Sequence, residues 1–156
     1  MTGSSVKKVI GKSLTDLILV GSIEIDSDDV ETTINTEYLY LEFDDSLFLF
    51  SSIEEMSELN VTEKDEIDFS YEIDEDDRYF STSIRNLYLV DTISDIAVKE
   101  VNEYRLDDKL KGVEIILENN QMLFIDPTYY TGIKLGGEIV KNMFLENHAG
   151  VQVISL

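Results

Sequence analysis

Two stretches, YLYLEFDDSLFLF (Tyr38–Phe50) and GVEIILENNQMLFI (Gly112–Ile125), constrain the fold more than any other part of the chain. Each contains apolar runs too short for a globular helix, interrupted by turn-forming residues: Asp44-Asp45-Ser46 in the first and Asn119-Asn120 in the second. Asp and Asn tolerate the left-handed backbone conformation that tight turns need, so both stretches read as β-hairpins. Alternating or short apolar segments at Leu17–Ile25, Thr36–Phe43, Ser46–Phe50, Glu66–Asp74, Ile84–Val90, Ile96–Val101, Val113–Leu117, Met122–Ile125 and Val151–Leu156 extend the strand reading over most of the sequence.

The hairpins also resemble one another. Leu41-Glu42-Phe43-Asp44-Asp45 matches Ile115-Ile116-Leu117-Glu118-Asn119 in pattern, and LTDLILV from Leu14 matches ISDIAVK from Ile93. This suggests a duplicated unit of leading strand and hairpin, covering 14–59 and 93–135. Helical signals are few. Ser52 followed by Glu55 has capping-box spacing in SSIEEMSELN, and GGEIVKNMFLEN places Ile139, Val140, Met143 and Phe144 at helical spacing after a Gly-Gly break, with a buried strand as the alternative. The expected fold is mainly β, either an antiparallel β-sandwich or a mainly-β α+β domain, with one or two short helices in a single domain spanning 1–156.

The 156 residues suffice for a core without covalent staples, and the absence of cysteine removes disulfides and thiolate chemistry. The N-terminal segment has lysines but no apolar h-region, and the apolar runs Leu17–Val20, Leu47–Phe50 and Met122–Ile125 stop at four residues. A cytoplasmic protein with no membrane partner is the expectation.

Net charge is −21, far outside the magnitude of roughly 2–8 usual for a small soluble domain. Residues 22–77 hold 21 acids against one base, Lys64, whereas 78–156 hold 11 acids against eight bases. The imbalance is local. It disfavours direct nucleic-acid binding, whose affinity comes from cations placed on phosphates.

Catalytic signatures are missing. His148 stands alone in ENHAG, a turn where a surface or capping role is expected, and it has no companion motif for nucleophilic catalysis. GIKLGGE lacks the dinucleotide and P-loop spacings, and Gly11-Lys12-Ser13 lacks the upstream glycine of a P-loop, since Val6 is there. DSDDVETTINTE (Asp26–Glu37) begins like a calcium loop, but Val30 and Glu31 occupy positions that need an oxygen ligand and a glycine. No enzyme activity, metal or cofactor is expected.

The acids themselves are the remaining feature. From Glu66 to Asp74 the chain alternates, with Ile67, Phe69, Tyr71 and Ile73 on one side and Glu66, Asp68, Ser70, Glu72 and Asp74 on the other. Like charges two residues apart cost roughly 0.6 kcal/mol each in a water-like medium and about 2.5 kcal/mol at an effective dielectric near 20. Such a face also guards a sheet edge against self-pairing. Where it serves binding, the candidate residues are Asp26, Asp28, Asp29, Glu31, Glu63, Asp65, Glu66, Asp68, Glu72, Asp74, Glu75, Asp76 and Asp77, and the partner is a strongly basic protein.

With YLYLEFDDSLFLF and EIDFSYEIDED as the stretches that carry it, the chain resembles the acidic immunity proteins of bacterial toxin–immunity systems, including those of contact-dependent growth inhibition. The resemblance lies in size, charge and hairpin layout, and no motif transfers a residue role. It implies a non-catalytic inhibitor that binds and neutralises a toxin, often a basic nuclease domain. Two other classes compete: a β-sandwich module binding a small ligand or carbohydrate through Tyr129 and Tyr130, and a calcium-dependent structural module.

Overall fold

The computed structural model describes residues 3–53, 58–68, 75, 77–85, 96–128 and 132–156. A 3-10 helix at Gly3–Val9 leads into β1 (Ser13–Ile25), β2 (Val30–Ile34), β3 (Tyr38–Phe43), β4 (Ser46–Ile53), β5 (Glu58–Lys64) and β6 (Arg78–Ser83). Then follow β7 (Ile96–Leu106), β8 (Lys109–Leu117), β9 (Met122–Asp126), β10 (Lys134–Gly136), α1 (Glu138–Asn147) and β11 (Gln152–Ser155). Among the described residues all pairings are antiparallel, and the eleven strands join in one sheet. The mainly-β expectation therefore holds, with a single α-helix among the described residues. No described helix is long and apolar enough to cross a membrane.

The order β10-β9-β8-β7-β1-β3-β4-β5 places a leading strand, a hairpin and a third strand on each side of the β7–β1 junction. One face of both halves closes on a shared core. Leu14, Leu39, Leu41, Phe43, Phe48 and Phe50 come from the first half, and Val98, Val113, Ile115, Leu117, Leu123 and Ile125 from the second. Val6 and Val9 of the 3-10 helix complete it. The alternation in YLYLEF explains the sorting: Leu39, Leu41 and Phe43 go to this core, and Tyr38, Tyr40 and Glu42 go to the opposite face. That face carries a smaller cluster of Val20, Tyr40 and Leu49, against which Ile18, Leu47 and Ile67 pack.

The hairpin turns form as expected. Asp44 and Asn120 adopt positive φ, at 49° and 66°. A third turn, Asp107-Asp108 (φ 52° and 65°), joins β7 to β8 across the Leu106–Lys109 pair, the two-residue geometry that needs left-handed backbone at both positions. Gly21 is required for another reason. A Cβ there would lie 2.2 Å from the Thr33 carbonyl oxygen and 2.6 Å from the Phe80 ring, because β2 and β6 close on β1 at that point.

Several expectations fail. Ser52 is not a helix N-cap: Ser52 and Ile53 end β4, Glu58–Asn60 open β5, and the Ser52 hydroxyl donates to the Pro127 carbonyl at 3.1 Å. Residues 54–57 lie outside the described residues. The strand expected from Glu66 does not begin there. β5 ends at Lys64, Asp65 and Glu66 bend the chain, and Ile67 and Asp68 lie outside any strand, Ile67 packing on the outer cluster and Asp68 accepting hydrogen bonds. The rest of that expected strand, 69–74, is outside the described residues. Ile84 likewise belongs to no strand; the strand is Arg78–Ser83, with Ile84 bonded through its amide to Leu17. Residues 86–90 of the expected Ile84–Val90 strand are outside the described residues.

Helix α1 forms as one of its two expected states, but only Val140 and Phe144 are buried; Ile139 and Met143 face outward. It docks on Tyr104 and Phe124, whose rings meet Phe144 at centroid distances of 5.8 and 5.0 Å. The dock is pinned by a polar network. Glu114, 3% exposed, accepts from Asn102 Nδ2 at 2.8 Å, from the Tyr104 hydroxyl at 3.2 Å and from Lys141 Nζ at 2.7 Å. Removing one member of a buried pair strands the other charge. Lys141→Met is expected to lower unfolding free energy by about 2–4 kcal/mol in urea titrations, while Glu114→Gln combined with Lys141→Met recovers part of the loss. Equal stability of Lys141→Met and wild type would show that the network does not hold α1.

Candidate acidic interface

Two separate hollows collect the acids. The larger, a cleft of about 400 Å³, lies where the β3–β4 turn meets the end of β5 and is lined by Glu42, Asp44, Asp45, Glu63, Asp65 and Glu66, with Lys64, Ser46, Ile18, Leu47 and Ile67. The smaller, about 200 Å³, is enclosed by Glu24, Asp26, Asp29 and Glu31 at the β1–β2 hairpin. Ile18 of β1 lines the first and Glu24 of the same strand lines the second, so six residues of strand separate them, roughly 20 Å at the usual rise.

Sheet pairing builds the cleft. Glu42 projects from β3 on the face away from the main core, Asp44 and Asp45 form the turn, and Lys64 of β5 pairs with Leu47 across β4. Most of these groups have internal partners. Glu42 Oε1 accepts from the Thr15 hydroxyl at 2.8 Å, and Asp44 Oδ2 accepts from the Ser13 amide at 3.1 Å. Lys12 Nζ lies 3.4 Å from Asp45, and Lys8 Nζ lies 3.2 Å from Glu63. Backbone hydrogen bonding and then Lys12 hold the Asp45 carboxyl below its ordinary range. Asp65 and Glu66 have no partner among the described residues.

Thus the lysines of the N-terminal segment, remote in sequence from the acidic stretch, are its neighbours in space. They neutralise Glu63 and Asp45 and, among the described residues, leave Asp65 and Glu66 unpaired. Exposed pairs of this kind contribute about 0–1 kcal/mol each, so they tune charge more than stability.

Asp68 stands apart from the cleft lining. Lys64 Nζ donates to it at 2.8 Å and the Tyr40 hydroxyl at 3.4 Å, and the Lys64 hydrogen bond holds its carboxyl below the ordinary carboxylate range. At the other hollow, Asp26 and Asp29 exchange backbone bonds at 2.9 and 3.3 Å to close the turn, with Asp28 exposed between them. The stretch read as an imperfect calcium loop is thus a β-hairpin. Among the described residues no three His, Asp or Glu side chains are placed to hold a metal ion. Glu75 is exposed and Asp77 is half-buried beside β6. Glu72, Asp74 and Asp76 lie outside the described residues, as do Tyr129 and Tyr130.

Among the expected acids, the structure therefore brings Glu63, Asp65 and Glu66 together, and separately Asp26, Asp29 and Glu31. It adds Glu24, Glu42, Asp44 and Asp45. Glu42 was detectable as the outward position of YLYLEF, while Asp44 and Asp45 were read only as turn residues. His148 caps α1: its amide donates to the Leu145 carbonyl, its Nδ1 lies 2.8 Å from the Phe144 carbonyl oxygen, and its ring stacks on Phe144 at 4.2 Å. That contact makes Nδ1 the protonated nitrogen.

Tyr40, fully buried beneath Asp68, has its hydroxyl pushed up to about 12, first by burial and then by the Asp68 charge. The folded value exceeds the unfolded value near 10, so this contribution is fully present below about pH 10 and is lost as pH rises through about 12. Tyr104, raised by burial, and Lys141, raised by Glu114, act in the same direction. Tyr40→Phe is expected to lose about 1 kcal/mol less stability than wild type between about pH 8 and about pH 11, read from urea midpoints. Parallel losses in the two proteins would refute the assignment.

No family model matches the chain, and no curated protein or solved structure matches it.

Proposed function

We propose that this protein is a non-catalytic inhibitor of the immunity type, acting in the cytoplasm to bind and neutralise a basic partner, a bacterial toxin nuclease domain. The observation that carries the reading is the cleft where six carboxylates converge and where Asp65 and Glu66 lack internal cations among the described residues. A nuclease holds phosphates with lysine and arginine, and carboxylates at comparable spacing occupy the same cations. Long-range attraction between opposite fields accelerates encounter, and a carboxylate buried against a cation at the centre of the contact supplies the slow dissociation. The paired lysines favour a specific approach, because they offset Asp45 and Glu63 and leave the negative field concentrated on Asp65 and Glu66.

The test is co-purification with the small basic C-terminal domain of a large secreted protein encoded immediately upstream, where such a gene exists. Binding should fall as salt rises. The variant Asp44→Asn, Asp45→Asn, Asp65→Asn, Glu66→Gln is expected to associate on the order of tenfold more slowly and to show a flatter salt dependence in surface plasmon resonance. Affinity and salt slope both unchanged in that variant would remove the cleft from the interface.

A further inference from the structure

The β1–β2 hairpin combines three features that the cleft lacks. Its tip is apolar and exposed: Ile25 and Val30, directly paired, are 53% and 60% exposed. Its opposite face sets Glu24 directly against Glu31, a like-charged cross-strand pair that is unfavourable unless a cation bridges it. Among the described residues β2 pairs with β1 alone, so its outer edge is open.

The alternation of backbone bonds shows which groups that edge offers. Asp26 and Asp29 exchange hydrogen bonds at one end of the hairpin, and the Asn35 amide donates to the Val20 carbonyl at 2.8 Å at the other. In an antiparallel ladder every second residue turns its amide and carbonyl to the partner strand. Glu31 and Thr33 therefore face β1, and Val30, Thr32 and Ile34 present their N–H and C=O outward.

We propose that β2 is a docking edge for a partner segment that alternates basic and apolar residues, which adds to the sheet as a further strand. The backbone of that segment would bond to Val30, Thr32 and Ile34. Its apolar side chains would continue the Ile25–Val30 face, and its cations would lie over Glu24 and Glu31. Strand addition draws affinity from main-chain bonds and specificity from alternate side chains. A second copy of this chain is disfavoured as the occupant, because it would bring another Glu24–Glu31 pair and another −21 charge to the same edge. The proposal rests on the reading of the chain as a binder of basic proteins and names the element that grips them.

The test uses two fluorescent probes of equal length, a peptide of alternating lysine and valine and a lysine homopolymer, with affinity read by anisotropy. Wild type is expected to bind the alternating peptide about tenfold or more tightly than the homopolymer, a difference of about 1.4 kcal/mol. Thr32→Pro removes the outward N–H while sparing the β1 ladder, and should reduce the alternating peptide to the level of the homopolymer. If its melting temperature also falls, Val30→Ser carries the test by removing the apolar contact alone, with the same direction of loss. No advantage for the alternating peptide, or an advantage that survives both variants, overturns the docking edge; homopolymer binding would then leave the acidic-inhibitor reading standing. Failure of both probes overturns both. A wild-type dimer in sedimentation that Thr32→Pro dissolves would assign the edge to a second copy and overturn the basic occupant.

Discussion

Strand β1 carries hydrogen-bonded ladders to four other strands, and the remaining architecture depends on how its thirteen residues divide among them. On one edge β3 takes Leu14–Ile18 and β2 takes Gly21–Ile25; on the other β7 takes Ser13–Leu14 and β6 takes Ile18–Ile23. Both halves of the sheet are thereby joined through the short Ser13–Ala97 and Leu14–Ile96 contact, and the main core closes beneath it. Among the described residues the far half of β1 has no such cover. It runs out with β2 and β6 as a three-stranded extension whose residues become exposed toward Ile25. Gly21 stands at the transition, where neighbouring strands approach too closely for any side chain.

This division explains why the acidic charge separates into two places. Near Leu14 the sheet is thick, turns from β3–β4 and β5 gather, and lysines from the 3-10 helix region reach the same point. Near Ile25 the sheet is thin and carboxylates face water on a projecting hairpin. Elsewhere two buried acids meet cations, Glu114 with Lys141 at 2.7 Å and Glu103 with Arg105 at 2.9 Å, while buried Asp126 accepts from Thr128. A fold that can bury carboxylates with partners, yet leaves Asp65 and Glu66 unpaired among the described residues, has not run short of ways to neutralise acids.

Legibility in the sequence followed burial. The strands that bury one face, such as Tyr38–Phe43, Lys109–Leu117 and Met122–Asp126, announce themselves by alternating or apolar runs, and the two asparagine- and aspartate-based turns follow from backbone sterics. VETTI and RYFSTS did not read as strands because most of their residues are exposed, so neither has an apolar face to create a period of two. ELNVTEK was overshadowed by a capping-box spacing that the ladder to β4 overrides. The cleft was half legible. Glu63, Asp65 and Glu66 stood out as charge, but their meeting with Asp44 and Asp45 follows from long-range pairing of β4 and β5, which no local pattern encodes.

The separation of the two hollows also limits how they act. At physiological ionic strength exposed charges are screened over about 8 Å, and the hollows lie more than two such lengths apart along β1. Each therefore presents its own field at close range, and only the summed charge acts at a distance. An approaching cationic surface is first drawn by the total of −21, without regard to orientation, and then meets two chemically different ends. The cleft offers a concave group of carboxylates set against lysines, which selects for arrangement of charge. The hairpin offers exposed apolar side chains and outward-facing backbone groups beside acids, which selects for chain conformation. A partner whose contact is narrower than the gap between the hollows must choose one end, and the choice depends on whether it brings a cationic pocket or an extended strand.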